Sequence, residues 1–310
     1  MNTTLRRKRL ILAGGSGFIG TALAQEFVRR DWEVAILTRT PRQRQGGVKE
    51  FAWDGVKIGP WAAQLDGADA VINLTGKSIN CRHTAANLRT IIDSRVHSVQ
   101  ALAAAIKQVQ VPPRVWVQAS ATGFYGDTAD QACAETGPSG TDTLSRICRE
   151  WETMFKACAV PPVRRVVLRI GFVLGQGGGA LPVLAKLTKN YLGGAAGSGR
   201  QYISWIHLAD LVHVFAAAVE DETWSGIYNA VAPNPVTNAV FMRELRRTLR
   251  RPWSPPVPAF AVRLGAWVMG SEASLALVSQ RCIPARLADA RFLFRFPELP
   301  AALQDLCGKK

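Results

Sequence analysis

Residues 10–20 read LILAGGSGFIG, and the fold follows from this stretch. Leu10, Ile11, Leu12 and Ala13 are apolar without alternation, as a strand buried on both faces requires. Glycines follow at once. Gly15, Gly17 and Gly20 satisfy GxGxxG, while Gly14, Gly17 and Gly20 satisfy GxxGxxG. An amphipathic pattern runs on through Arg30, and a second apolar strand spans residues 34–37, so the whole reads as a β-α-β unit. In such a unit Gly14 or Gly15 permits the tight turn, Gly17 lets the main chain approach a diphosphate, and Gly20 lets the helix pack on the strand. The helix start, with Ser16, Phe18 and Ile19, offers unpaired N–H groups and the positive end of a dipole to an anion. A dinucleotide is the expected ligand.

The end of the second strand chooses between dinucleotides. An acid there would accept from the ribose 2′-OH of NAD(H), whereas a 2′-phosphate needs a cation. Here the strand ends Leu37-Thr38-Arg39. Arg39 can pair bidentately with a phosphate, Thr38 can add a hydrogen bond, and Arg42 or Arg44 can assist. The bland alternative is that Arg39 is a solvated charge. With the acid missing, NADP(H) is expected.

Further buried strands are expected at residues 70–74, 115–119 and 166–170, separated by helical periodicity at 85–109 and 143–159. That alternation predicts an α/β, Rossmann-type doubly wound parallel sheet. After Gly171 the texture changes to the glycine-rich loops GQGGGALP and GGAAGSGR. Residues 1–175 are therefore assigned to an NADP-binding domain, completed by parts of 200–232, and residues 176–310 to a smaller C-terminal substrate-side lobe. Short strands are expected at 203–206 and 227–230, a helix at 207–219, a proline-rich linker at 252–258 and a mainly helical last fifty residues. A basic amphipathic helix after Thr237 places Met242, Leu245 and Leu249 on one face and Arg243, Arg247, Arg250 and Arg251 on another, where they read as solvated charge.

Composition bounds the rest. The chain has 310 residues, 48% hydrophobic and 20% charged, as in ordinary globular proteins. Lysine and arginine exceed aspartate and glutamate by 38 − 23 = 15, an imbalance that attracts phosphate-bearing ligands. Nucleic acid would be drawn by the same charge, but no RNA-binding motif accompanies it. The cysteines at 81, 133, 148, 158, 282 and 307 form no CxxC pair, which argues against zinc or a disulfide framework and for a reducing compartment. No metal site is expected. The basic opening MNTTLRRKR lacks the pattern of a signal peptide, and no stretch reaches the roughly twenty apolar residues of a membrane span. A cytoplasmic protein is expected.

Four further motifs carry a resemblance: Asn73-Leu74-Thr75-Gly76, the SATGFYGD run with Ser120, Thr122 and Tyr125, Leu168-Arg169-Ile170-Gly171, and SWIHLADL from Ser204. With the glycine turn, CREWE at 148–152 and the tail from Pro258, they make nearly the whole chain resemble an atypical branch of the extended short-chain dehydrogenases/reductases. Members of that branch are labelled epimerase family proteins or nucleoside-diphosphate-sugar epimerases and carry a small C-terminal domain of unknown function. The resemblance implies that Gly14 to Ile19 hold the diphosphate. Thr38 and Arg39 would hold the adenosine phosphate, and Leu74, Thr75 and Gly76 the nicotinamide-side ribose region. Arg169 and Ser120 join the cofactor contacts, and Ser120 or Thr122 would bond a substrate oxygen.

The same superfamily does its proton chemistry with a YxxxK pair, whose two places fall here at Leu144 and Cys148. Neither side chain can replace the phenol or the ammonium. Tyr125 is the substitute phenol, as acid, base or positioning group. Asp127 and Glu135 are candidates for the same rim or for solvated loop acids. Cys148 reads as a small core residue, and His207 as a structural group at a helix start, followed by Asp210. Lys77, Arg82 and Arg95 would face an anionic substrate or solvent.

The function expected is an NADP(H)-binding oxidoreductase or epimerase-like enzyme acting on an unidentified, candidate anionic small molecule, as a monomer or homodimer. The alternative is a non-catalytic NADP(H)-dependent sensor or scaffold that lost its proton relay.

Overall fold

Strand and helix alternate through the first half of the chain as β1 (Arg9–Ala13), α1 (Phe18–Arg29), β2 (Glu33–Thr38), β3 (Val48–Ala52), β4 (Ala70–Asn73), α2 (Ala85–Ile106), β5 (Val115–Ala121), α3 (Thr143–Ala157) and β6 (Arg164–Ile170). The computed structural model describes residues 6–44, 46–160 and 162–308. The first five residues of the basic opening lie outside that set. The second half carries β7 (Phe172–Leu174), α4 (Leu181–Lys189), β8 (Tyr202–Ile203), β9 (Trp205–His207), α5 (Leu208–Glu220), β10 (Gly226–Ala230), β11 (Val236–Thr237), α6 (Asn238–Thr248), α7 (Ala259–Val268), α8 (Ser274–Leu277), α9 (Ala285–Asp289) and α10 (Leu299–Cys307).

Seven strands form one sheet in the order β3-β2-β1-β4-β5-β6-β10, every neighbouring pair parallel. Alternate residues explain how helices cover both faces. Leu10 and Leu12 of β1 join Leu23, Phe27 and Phe215 in one core, under α1 and α5. Ile11 and Ala13 join Leu102, Trp116, Trp151 and Phe155 in the other, under α2 and α3. Strands wet on neither face read as unbroken apolar runs, which is why they were visible in the sequence. Strand β3 was not located there. It is an edge strand whose residues are all partly or fully exposed, so no apolar run marks it.

The strand expected at 203–206 is two strands, divided at Ser204. Strand β9 pairs with β7, while β8 pairs antiparallel with β11. The lobe has its own core of Leu174, Trp205, Phe241, Met242, Leu245, Leu299 and Leu303. The Thr237 side chain accepts from the Val240 amide and caps α6, whose apolar face fills that core. Among the described residues, no helix is long and apolar enough to cross a membrane.

Candidate functional site

Strand order reverses between β1 and β4, and in doubly wound sheets the crevice at such a switch point is where ligands bind. The turn after β1 is built to stay open there. Gly14 has φ +73°, and a Cβ on it would stand 2.9 Å from the Thr75 Cα and Oγ1, so only glycine fits. Its amide donates to Leu37 O at 2.9 Å, and the Leu74 amide donates to Ala13 O at 2.8 Å, tying the ends of β1, β2 and β4 together. Gly20 lies against the backbone of Gly15, where any Cβ would collide, so the close approach is helix to turn rather than helix to strand. Gly17 is different. It is exposed, and a Cβ there would meet nothing within 4 Å.

Other residues of the motif are committed to packing. The Phe18 ring lies under the lobe's glycine loop, where a Cβ on Gly178 would come 2.7 Å from its Cγ, and Ile19 packs on the core beneath α1. Ser16 stays exposed, with its Oγ accepting from Thr38 Oγ1 at 3.2 Å. Asn73 is fully buried. It donates to Gln118 Oε1 at 3.0 Å and Ser98 Oγ at 3.2 Å and accepts from the Thr75 amide at 3.0 Å, which fixes the segment Leu74-Thr75-Gly76. The Thr75 hydroxyl, buried against Gly14, has no partner among the described residues.

At the end of β2, Thr38 is buried and Arg39 exposed. Arg39 has no carboxylate partner among the described residues. Arg44 is paired with Glu50, which also accepts from the Arg42 amide at 2.7 Å. Glu50 of β3 is thus already paired, and Asp54, which follows β3, accepts from the Val56 and Lys57 amides.

Beyond β5 the structure brings together residues that are far apart in sequence. The buried Arg169 donates to both carboxylate oxygens of Glu152 at 2.9 and 2.8 Å, to Tyr125 OH at 2.9 Å and to Glu135 O at 3.2 Å. Burial alone would lower the arginine pKa, but Glu152 overrides it and the value is raised. Ser120 Oγ donates to the same carboxylate at 2.6 Å, and Tyr125 OH donates to Asn229 Oδ1 at 2.8 Å.

Four of the residues singled out in the sequence are drawn into this network. Arg169, expected to contact a cofactor, gives four of its five N–H groups to Glu152, Tyr125 and Glu135. Ser120 points at Glu152. Tyr125 is 3% exposed and bonded to two partners, and burial pushes its phenol up to about 12, so it stays protonated near neutral pH. Glu135 is no rim acid, since its Oε1 accepts from the Asn229 amide at 3.0 Å inside the fold.

Thr122 takes another direction. Its Oγ1 donates to Gln280 Oε1 at 2.8 Å, and the same amide lies beside Gly123, Leu144 and Cys148, the last two being the positions at which the YxxxK pair was sought in the sequence. Burial pushes the Cys148 thiol up to about 12, as befits a small core residue. Gln280 arrives from the C-terminal lobe, where Ser204 Oγ donates to its carbonyl at 2.7 Å. No sequence signal marked Gln280, Glu152 or Asn229 as partners of this region, because their contacts cross more than one element.

His207 and Asp210 serve the lobe. His207 Nδ1 accepts from the Ala209 amide at 3.0 Å as the cap of α5, its ring stacks on Phe296 at 4.0 Å, and burial lowers its pKa. Its Nε2 stands 3.3 Å from Asp305 Oδ2 but lies outside hydrogen-bond geometry, so the contact is one of proximity alone. Asp210 accepts from the amides of Arg295 and Phe296 at 2.7 and 2.9 Å. This segment thus holds the C-terminal tail. Lys77 and Arg82 have neutral partners: Lys77 Nζ donates to Asn87 Oδ1 at 3.0 Å, and Arg82 Nη2 donates to Trp267 O at 2.9 Å.

A parallel doubly wound sheet, a glycine turn at its switch point and a smaller lobe at the strand ends define a Rossmann-type α/β protein. The model of the NAD dependent epimerase/dehydratase family matches residues 10–230, and that of a domain of unknown function, DUF1731, matches residues 257–306. The chain belongs to the NAD dependent epimerase/dehydratase family. It is 36% identical to the epimerase family protein SDR39U1 of Bos taurus over 96% of this chain and 99% of the relative. It is also 33% identical to the epimerase family protein SSP1921 of Staphylococcus saprophyticus, over 96% and 99% of the two chains. Among solved structures, human SDR39U1 with NADPH superposes with a TM-score of 0.86 at 34% identity, covering 96% of this chain and 99% of that one.

Proposed function

We propose that the chain is an NADP(H)-dependent oxidoreductase or epimerase-like enzyme acting on a small molecule at the ends of β4 and β5. The observation that carries this reading is the corner after β2, where Arg39 is exposed without a carboxylate partner among the described residues and Glu50 is taken by Arg44. A guanidinium left free at that position suits a 2′-phosphate and gives nothing to a bare 2′-OH that an acid would not give better. The human relative solved with NADPH supports the choice.

The residues present fit the nucleotide. Gly14, Gly15, Ser16 and Gly17 leave the space over the turn open, with nothing within 4 Å of a Cβ at Gly17, and Thr75 offers an unpartnered hydroxyl against Gly14. Thr38 and Arg39 would hold the adenosine phosphate, and Leu74, Thr75 and Gly76 the other half, with Phe18, Ile19 and Gly20 shaping the turn from behind. When bound, the nicotinamide supplies or accepts hydride. The chain's own part is orientation. Thr122 is held by Gln280 beside Leu144 and Cys148, and Tyr125 ties the β5 loop to β6 and β10 through Arg169 and Asn229. The thiols of the described cysteines are all free, which suits a reducing compartment such as the cytoplasm.

Calorimetric titration of the wild-type protein and Arg39→Ala tests the reading. NADPH should bind at least about tenfold more tightly than NADH, and the variant should lose most of that preference, as removal of a charge-assisted pair implies. Tighter uptake of NADH, unchanged by the substitution, would overturn it. Loss of NADPH absorbance on addition of a carbonyl panel then separates an enzyme from a binding protein.

A further inference from the structure

Arg95 is a basic group that no role described so far uses. It projects from α2 toward the loop after β4 and stacks over the Trp151 ring of α3 at 4.9 Å. Its Nη1 donates to Lys77 O at 2.9 Å and Ile91 O at 3.0 Å, while Nε and Nη2 have no acceptor among the described residues. A Cβ on Gly76 would come 2.8 Å from its Cζ, so the glycine leaves the room in which the guanidinium lies.

Three facts make this cation unusual. It pairs with no carboxylate among the described residues, although burial pulls its pKa below the ordinary arginine value. The group is only partly buried, and its charge is met by two carbonyls and the Trp151 face rather than by a carboxylate. Its neighbour is Cys148, which stands where the superfamily's lysine would be. Finally, Arg39 ends β2 on one side of the glycine turn, whereas Arg95 lies by β4 and β5 on the other. With the adenosine phosphate at Arg39, the nicotinamide half must fall on the Arg95 side.

We propose that Arg95, reaching across from α2, replaces the missing lysine of α3 and donates its free N–H groups to the ribose hydroxyls of the nicotinamide half. The inference rests on the NADP(H) reading above. In that role the guanidinium is a cofactor-contacting group, and it keeps a fixed positive charge beside the reacting ring.

The test compares two ligands, NADPH and adenosine 2′,5′-bisphosphate, which has the adenosine phosphate but no nicotinamide half. Arg95→Gln should weaken NADPH by about tenfold to a hundredfold, the range for losing hydrogen bonds from a charged donor. Arg95→Lys should stay close to wild type, and the double variant Arg95→Gln/Cys148→Lys should regain affinity. Adenosine 2′,5′-bisphosphate should bind all of them alike. Equal weakening of both ligands would reduce Arg95 to a packing role, and unchanged NADPH affinity or no rescue by Cys148→Lys would also overturn the proposal. If Arg95→Gln folds poorly by thermal unfolding, Arg95→Met keeps the apolar stem on Trp151 and serves in its place. Wild-type protein that takes up neither ligand would instead refute the cofactor reading itself.

Discussion

Gly17→Ala separates folding from ligand binding at the glycine turn. Gly17 has φ −84° and ψ −172°, a conformation open to any residue, and a Cβ there would meet nothing within 4 Å. The folded state therefore accepts the methyl. As the N-cap of α1 the residue loses some preference when glycine becomes alanine, a cost of about 0.5–1 kcal/mol. That corresponds to a fall in melting temperature of about 2 °C for a chain of this size. If the open space is a diphosphate cradle, the methyl overfills it, and overpacking of a close-fitted site costs about 1–3 kcal/mol, or about fivefold to a hundredfold in NADPH affinity. Gly14→Ala is the control, because φ +73° and a 2.9 Å approach to the Thr75 backbone make it a folding defect first. Differential scanning fluorimetry and calorimetric titration read the two effects separately. A well-folded Gly17→Ala protein that binds NADPH as tightly as wild type would refute the cradle.

The buried network makes its own predictions. Glu152→Ala strips Arg169 of its only ion pair among the described residues and Ser120 of its acceptor, so unfolding free energy should fall by about 3–5 kcal/mol. The melting temperature should drop by about 6–10 °C, and a drop under about 2 °C would mean that water reaches the guanidinium. Tyr125→Phe should cost about 1–3 kcal/mol through the bonds lost to Arg169 and Asn229, with NADPH affinity unchanged. Because the phenol is pushed up to about 12, the pH–rate profile of any turnover should show no tyrosine limb near 10, and such a limb abolished by Tyr125→Phe would reinstate it as a proton donor. His207 predicts acid sensitivity. Its folded pKa lies below the usual 6.5, so the unfolded chain takes up a proton first as pH falls. The stabilisation is fully present above about 6.5 and is lost as pH falls through the lower, folded value. His207→Asn, which can still cap α5, should flatten that part of the melting curve against pH, and an unchanged slope would assign the sensitivity elsewhere.

The stretch LILAGGSGFIG settled the β-α-β unit and the open turn without help from the rest of the chain. Its information is local: strand burial, turn geometry and helix start all depend on residues within a few positions of one another. The same holds for β4, β5, β6, α2 and α3, whose apolar runs and helical periods reflect burial on both faces of one sheet. Strand β3 escaped because an edge strand needs no unbroken apolar run, and Ser204 hid a change of partner within four residues. What tertiary structure alone decided is which polar groups face one another. Arg169 looked like a site residue at a strand end, and only the arrival of Glu152 from α3 and Tyr125 from the β5 loop turned it inward. Thr122 and Gln280 meet across 158 positions, and Arg95 meets Cys148 between two helices. Such contacts follow from how elements cross in space, and no period along the chain encodes a crossing.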